Sequence, residues 1–218
     1  MLTHVNEHQQ GRTGPAWYGL LFVCWLFAAY GAGVALGFVE LLQAAGTPIA
    51  GRIGLFRLHT GLGALALACG PINLHRGLLA RRPVWHRALG RIYVLSVYVS
   101  GTSGLVLAFV SLGGTTAHWG FGLMGVVWLV TTSIGWRAGV RRHIATHREW
   151  MLRSFATTLA AVSLRLQLTP LMMFGGSFES GYLIISFTCW APNLILMEWW
   201  IRRTRGVKAR GCEVPAIR

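Results

Sequence analysis

The sequence predicts an all-α, polytopic membrane protein of six transmembrane helices, in which spans 2 to 5 form a central four-helix bundle and spans 1 and 6 flank it. Three observations lead there. The 218 residues are 54% hydrophobic with a mean hydropathy of +0.52, too apolar for an ordinary soluble domain. Six stretches, at roughly 17–40, 57–75, 90–112, 118–136, 151–173 and 181–201, each supply about 20 largely uncharged residues, enough to cross a ~30 Å hydrocarbon core. Basic residues cluster in alternate loops, as a chain crossing back and forth requires.

The first stretch reads as a permanent anchor. Met1 to Arg12 carries no basic run, and Trp17 to Glu40 is longer than the apolar core of a signal peptide. All six runs are continuous, whereas β-barrel strands would alternate over about ten residues. Gly33 and Gly37 stand at the small-xxx-small spacing that lets membrane helices approach closely. Residues 1–201 are therefore expected to form a single transmembrane domain and residues 202–218 a basic cytoplasmic tail that touches anionic headgroups.

A net charge of +14 would suggest nucleic acid in a soluble protein, but here the basic residues hug span ends and no recognised nucleic-acid module is present. Of the 20 Lys and Arg residues, all but Arg52, Arg57 and Arg165 fall on one side of the expected topology. Positive residues favour the cytoplasmic face, so both termini are expected inside and the loops near Thr47, Thr115 and Ser177 outside, in a bacterial inner membrane.

Several chemistries lack their residues. There is no Asp, the six Glu form no close pair in sequence, and no Gly-rich phosphate loop occurs. Cys24, Cys69 and Cys189 fall in apolar spans and Cys212 in the tail, without a CxxC, so neither a disulfide nor a zinc site is expected.

Four histidines stand at the mouths of successive spans. His59 and His118 are expected at the outer side, His86 and His147 at the inner side, an arrangement that suits two stacked bis-histidine sites. The separations His59 to His118 and His86 to His147 are nearly equal, and His86-Arg87 with Arg91 and Tyr93 parallels His147-Arg148 with Arg153 and Phe155. This pattern suggests a parallel duplication about an axis along the membrane normal.

At ~100° per residue, the positions sharing a face with each histidine can be read off. Below His59 come Gly63, Ala66, Gly70 and Asn73; below His118 come Gly122, Gly125, Leu129 and Thr132. Above His86 come Gly90, Tyr93, Val97, Ser100 and Gly104; above His147 come Met151, Ser154, Thr158, Ala161 and Arg165. Mostly small or polar faces either pack helices directly or leave room for a flat macrocycle. Arg165 lies five turns beyond His147, and a guanidinium at that depth needs an anionic group, an ion pair with Glu40 or Glu179, or a path to the interface.

The run His59 to Gly70-Pro71, then His86-Arg87-x-x-Gly90-Arg91-x-Tyr93, Trp128, and His147-Arg148-x-Trp150-Met151-x-Arg153-Ser154 through Arg165, resembles the bacterial membrane family called domain of unknown function 2306. The layout also looks like that of the six-span, dihaem, ascorbate-reducible b-type cytochromes, whose histidines on spans 2 and 4 bind one haem and those on spans 3 and 5 the other. That resemblance implies a haem b between His59 and His118 and another between His86 and His147, with Arg165 toward a propionate. Here Trp85, Trp119 and Trp150 flank the histidines and place them nearer the interface than in the cytochromes.

Three functions follow as expectations. The first is transmembrane electron transfer, a membrane oxidoreductase activity with one or two haems b as cofactors. Arg81, Arg82, Arg87, Arg141 and Arg142 would then form a cationic mouth for a quinol headgroup or an anionic donor such as ascorbate. The second is a haem-free accessory or assembly subunit of a larger respiratory or photosynthetic complex, its histidines hydrogen-bonding at the interface. The third is a quinone- or small-molecule-binding membrane protein using one histidine pair and Arg165. The outer histidine pair is favoured over the inner, because its helices carry the emptier Gly-rich faces, Leu129 excepted.

Overall fold

The computed structural model describes residues 14–38, 50–75, 77, 81–173 and 178–211. The described elements are all helical: α1 Pro15–Leu36, a 3-10 turn Ala50–Arg52, α2 Ile53–Leu74, α3 Pro83–Ala108, α4 Gly114–Val140, α5 Ile144–Thr158, α6 Ala160–Met173, α7 Phe178–Thr188 and α8 Ala191–Gly211. Among the described residues, five helices are long and apolar enough to cross a membrane: Pro15–Leu36, Ile53–Leu74, Pro83–Ala108, Gly114–Val140 and Ser180–Arg205. The protein is an all-α polytopic membrane protein. The segment Met1 to Arg12, the loops at Thr47 and Ser177, and Glu40, Arg76, Cys212 and Arg218 lie outside the described residues. The chain forms two compact units, Met1–Ser103 and Gly104–Arg218, and their boundary falls within α3.

In the first unit α1 opens with Pro15, whose fixed φ suits a first helical turn. It ends where Gly37 takes φ 82° and the Phe38 and Gly37 N–H groups turn back to the Gly33 and Val34 carbonyls at 2.9 and 3.1 Å. This is a Schellman stop, which needs a residue without a Cβ. Gly37 thus caps the helix, and the close approach between helices is made by Gly31 and Ala35. A methyl on Gly31 would lie 3.2 Å from the Ala64 Cβ, and one on Gly61 3.1 Å from the Ala35 Cβ. Pro71 inside α2 cannot donate to the turn before it. The His75 N–H bonds to Ile72 O at 3.2 Å, and the indole N–H of Trp17 donates to Pro71 O at 3.3 Å, tying the start of α1 to the end of α2.

The second unit is built on an antiparallel seam between α4 and α5. Trp128 meets Thr158, Thr132 meets Ser154, Gly135 meets Met151, and Gly139 meets His147. On α4 the steps are four, three and four residues, which keeps all four contacts on one face of the helix. α7 runs parallel to α4, with Gly113 against Tyr182 and Leu183 and Gly120 against Ser186.

The expected fifth span, 151–173, falls on two consecutive helices and is not among those five. α5 and α6 meet at Leu159, and each is too short alone to cross a bilayer. Just before the break, Thr157 and Thr158 turn their hydroxyls onto the Arg153 and Ser154 carbonyls at 3.1 and 3.0 Å, back-bonding that bends helices. Together they run antiparallel to α7 and α8: Glu149 pairs with Arg205, Arg153 with Glu198, Ser163 with Asn193 and Gln167 with Thr188. The last helix continues to Gly211, past the expected span end at Ile201. The Glu198–Arg202 pair, one turn apart, supports that extension.

Candidate functional site

His59 sits on α2 against Ser100 of α3 in a reciprocal clamp. The Ser100 hydroxyl donates to the His59 carbonyl at 2.8 Å, while His59 Nδ1 lies 2.8 Å from the Ser100 carbonyl. A carbonyl only accepts, so Nδ1 carries the proton and Nε2 is the lone-pair nitrogen of the neutral ring. Gly63 permits the approach, since a methyl there would lie 3.2 Å from the Ser100 hydroxyl.

His147 repeats this arrangement in the second unit. Its Nδ1 donates to the Gly135 carbonyl at 2.8 Å, which leaves Nε2 as the lone-pair nitrogen. Gly139 flanks the ring so closely that a methyl would lie 2.7 Å from Nδ1. His118 adopts the opposite tautomer: its Nε2 donates to the Ser111 carbonyl at 3.2 Å, closing the turn between α3 and α4. His86 is half-buried in the first turns of α3, its backbone N–H on the Arg82 carbonyl at 3.2 Å.

His59 and His86 belong to the first unit and His118 and His147 to the second, so each expected pair takes one histidine from each. The faces around these histidines are closely packed. Tyr93, Val97 and Ser100 on the helix face of His86, and Ala66 on that of His59, are almost wholly buried. In α5, Ser154 and Thr158 are committed to Thr132 and the Trp128 indole at 2.7 and 2.9 Å.

Arg165 is half-buried and donates from Nη1 to the Ala161 carbonyl of its own helix at 2.6 Å. The break at Leu159 lies between it and His147, so the five-turn register between them is not carried by one continuous helix. Glu40 and the side chain of Glu179 lie outside what is described.

Two groups escape the sequence pattern. At the arginine-rich end of the second unit, Arg153 donates to Glu198 Oε2 from Nε and Nη2 at 2.9 and 2.6 Å, and its guanidinium lies over the Trp150 ring at 4.8 Å. Arg202 donates to the other oxygen of Glu198 at 2.8 Å. The 45-residue separation of Arg153 and Glu198 hides this pair from spacing arguments; the signal available was a carboxylate inside an apolar run. In the first unit the His75 ring packs against Trp17 at 4.7 Å, tilted by 54°, and both amide atoms of the neighbouring Asn73 are buried with no hydrogen-bond partner among the described residues. No cluster of three or more His, Cys, Asp or Glu side chains gathers as a metal site among the described residues.

These features define a polytopic helical membrane protein in which the rings of His59, His118 and His147 are held by backbone carbonyls at helix ends and helix crossings. The chain belongs to the family of predicted membrane proteins DUF2306, whose family model matches residues 56–201. The matched region takes in His59, His86, His118, His147 and Arg165 and extends through the sixth span beyond Glu198. No curated protein and no solved structure matches the chain.

Proposed function

We propose that this protein carries haem b and transfers electrons within the membrane, with both termini on the cytoplasmic side of a bacterial inner membrane. The observation that carries this reading is the shared tautomer of His59 and His147, whose Nδ1 protons are held by the Ser100 and Gly135 carbonyls at 2.8 Å. Iron-ligating histidines commonly donate their second ring nitrogen to such a carbonyl, which fixes the ring and raises the basicity of Nε2. Haem, when bound, supplies one-electron transfer.

The proposed pairs are His59 with His118 and His86 with His147. Of these, His59 and His147 hold Nδ1 on a backbone carbonyl, the arrangement that supports ligation through Nε2. His118 would have to release the Ser111 carbonyl, or bind through Nδ1, so the second position of the outer pair is the less prepared one. Arg81, Arg82 and Arg87 in one unit and Arg141 and Arg142 in the other are exposed, which suits an anionic donor or a quinol headgroup. Arg165 is proposed to serve a propionate by exchanging its bond to Ala161.

A second reading, a haem-free subunit of a larger membrane complex, is favoured by the packing of the histidine faces, above all by Gly139 against His147. In that reading the imidazoles are interhelical staples. The absorption spectrum of the purified protein separates the two. Electron transfer predicts a Soret band that is diminished in His59→Ala and in His147→Ala. Absence of the band, or a band indifferent to both substitutions, leaves the stapling role.

A further inference from the structure

The arginine-rich end of the second unit contains a groove of about 320 Å³, open along one side and lined by Thr131 of α4, Trp150 and Arg153 of α5, and Leu194, Ile195 and Glu198 of α8. Its walls are apolar. The Thr131 hydroxyl is turned onto the Val127 and Trp128 carbonyls at 2.7 and 3.1 Å, so its own helix satisfies it. Ile195 is 67% exposed, as a side chain facing lipid would be.

The mouth of the groove is cationic. Glu198 is its one acid, and it is matched by two guanidinium groups, Arg153 and Arg202, which leaves one positive charge in excess. Glu198 takes Nε and Nη2 of Arg153 and Nε of Arg202. Among the described residues no other acceptor takes Nη1 of Arg153 or the terminal nitrogens of Arg202, which are the donors left for a further anion. Arg153 is held in place by Glu198 and the Trp150 ring, so its donors are ordered before any ligand arrives.

We propose that this groove seats one anionic phospholipid, its phosphate on Arg153 and Arg202 and an acyl chain along Trp150, Leu194 and Ile195. Two features favour a lipid over a soluble anion. The site has an apolar trench continuous with a cationic mouth, and it lies within a helix long and apolar enough to span the bilayer. The terminal nitrogen pair of Arg202 with Nη1 of Arg153 suits a phosphodiester, and the excess charge selects an anionic headgroup over a zwitterionic one.

The test is thermal unfolding of the full chain in neutral detergent with added phosphatidylglycerol, phosphatidylcholine or inorganic phosphate at matched phosphorus concentration. Phosphatidylglycerol is expected to raise the midpoint by roughly 5 °C at saturation, phosphatidylcholine by less than half as much, and inorganic phosphate not at all. Arg202→Gln, at an exposed position, is expected to weaken the phosphatidylglycerol response at least several-fold. Arg137→Gln, near the same end of α4 but outside the groove, is expected to leave it intact. Ile195→Trp fills the trench without touching a charge and is expected to abolish the response, which keeps the proposal testable should Arg153→Gln fail to fold. Equal shifts with phosphatidylcholine, a shift with phosphate alone, equal losses in Arg137→Gln and Arg202→Gln, or a full response in Ile195→Trp would each overturn it.

Discussion

His147 Nδ1 lies 2.8 Å from the carbonyl oxygen of Gly135, twelve residues earlier on the facing helix. One bond fixes the tautomer of the ring, its orientation and the register of α4 on α5. It also explains the glycine one turn further along α4, because any side chain at 139 would meet the imidazole.

Gly139→Ala is therefore expected to destabilise the protein even though alanine is the better helix former. Overpacking a fixed ring costs about 1–3 kcal/mol, against a helix-propensity gain of about 1 kcal/mol. Gly122→Ala is the contrasting variant, since a methyl there meets nothing within 4 Å. It is expected to be neutral or slightly stabilising when the two unfolding midpoints are compared.

The Thr132 and Ser154 hydroxyls bond across the same seam at 2.7 Å, with both residues wholly buried. A double-mutant cycle of Thr132→Val and Ser154→Ala is expected to give a coupling of about 0.6 kcal/mol and no more than about 1.7 kcal/mol, the range of interhelical hydrogen bonds in membrane bundles. A coupling of zero would mean that this hydroxyl pair adds nothing beyond the Trp128–Thr158 and His147–Gly135 bonds on the same seam.

Glu198→Gln keeps an acceptor for Arg153 and Arg202 but removes the charge that pairs them. The expected loss is about 1–2 kcal/mol, less than for a fully buried pair because the Glu198 side chain is 32% exposed. Added salt is expected to lower the unfolding midpoint of the parent protein more than that of the variant. Glu149→Gln, which loses a pairing with the more exposed Arg205, is expected to cost below about 1 kcal/mol.

Trp17→Phe removes the indole donor from the Pro71 carbonyl, whose usual helical donor, the His75 N–H, is turned to Ile72. The expected cost is about 0.5–1.5 kcal/mol. Faster amide exchange confined to the last turn of α2 would locate the effect; unchanged exchange there would show that the packing against His75 alone holds the helix end.

Much of the fold was legible because apolar length is a one-dimensional property. The runs beginning near Trp17, Arg57 and His118 become α1, α2 and α4 with only their ends displaced. α3 begins at Pro83, earlier than its apolar run, so His86 stands inside the helix. The break at Leu159 was not legible, because the apolar run continues through it and the hydroxyls of Thr157 and Thr158 beside it could bond backbone or neighbour. At the site, the four histidines and Arg165 stood out by type and spacing, and the family match over residues 56–201 contains them all.

What the sequence by itself determined is the membrane setting, the all-α class and the family, since these depend on local hydropathy and motif order. What only the tertiary structure decided is which atom of each residue is committed to what. His59 and His147 give up Nδ1 while His118 gives up Nε2, and Arg153 finds Glu198 across 45 residues. The physical reason is directionality: burial follows from composition along the chain, whereas a hydrogen bond exists only where folding has brought a particular donor within about 3 Å of a particular acceptor.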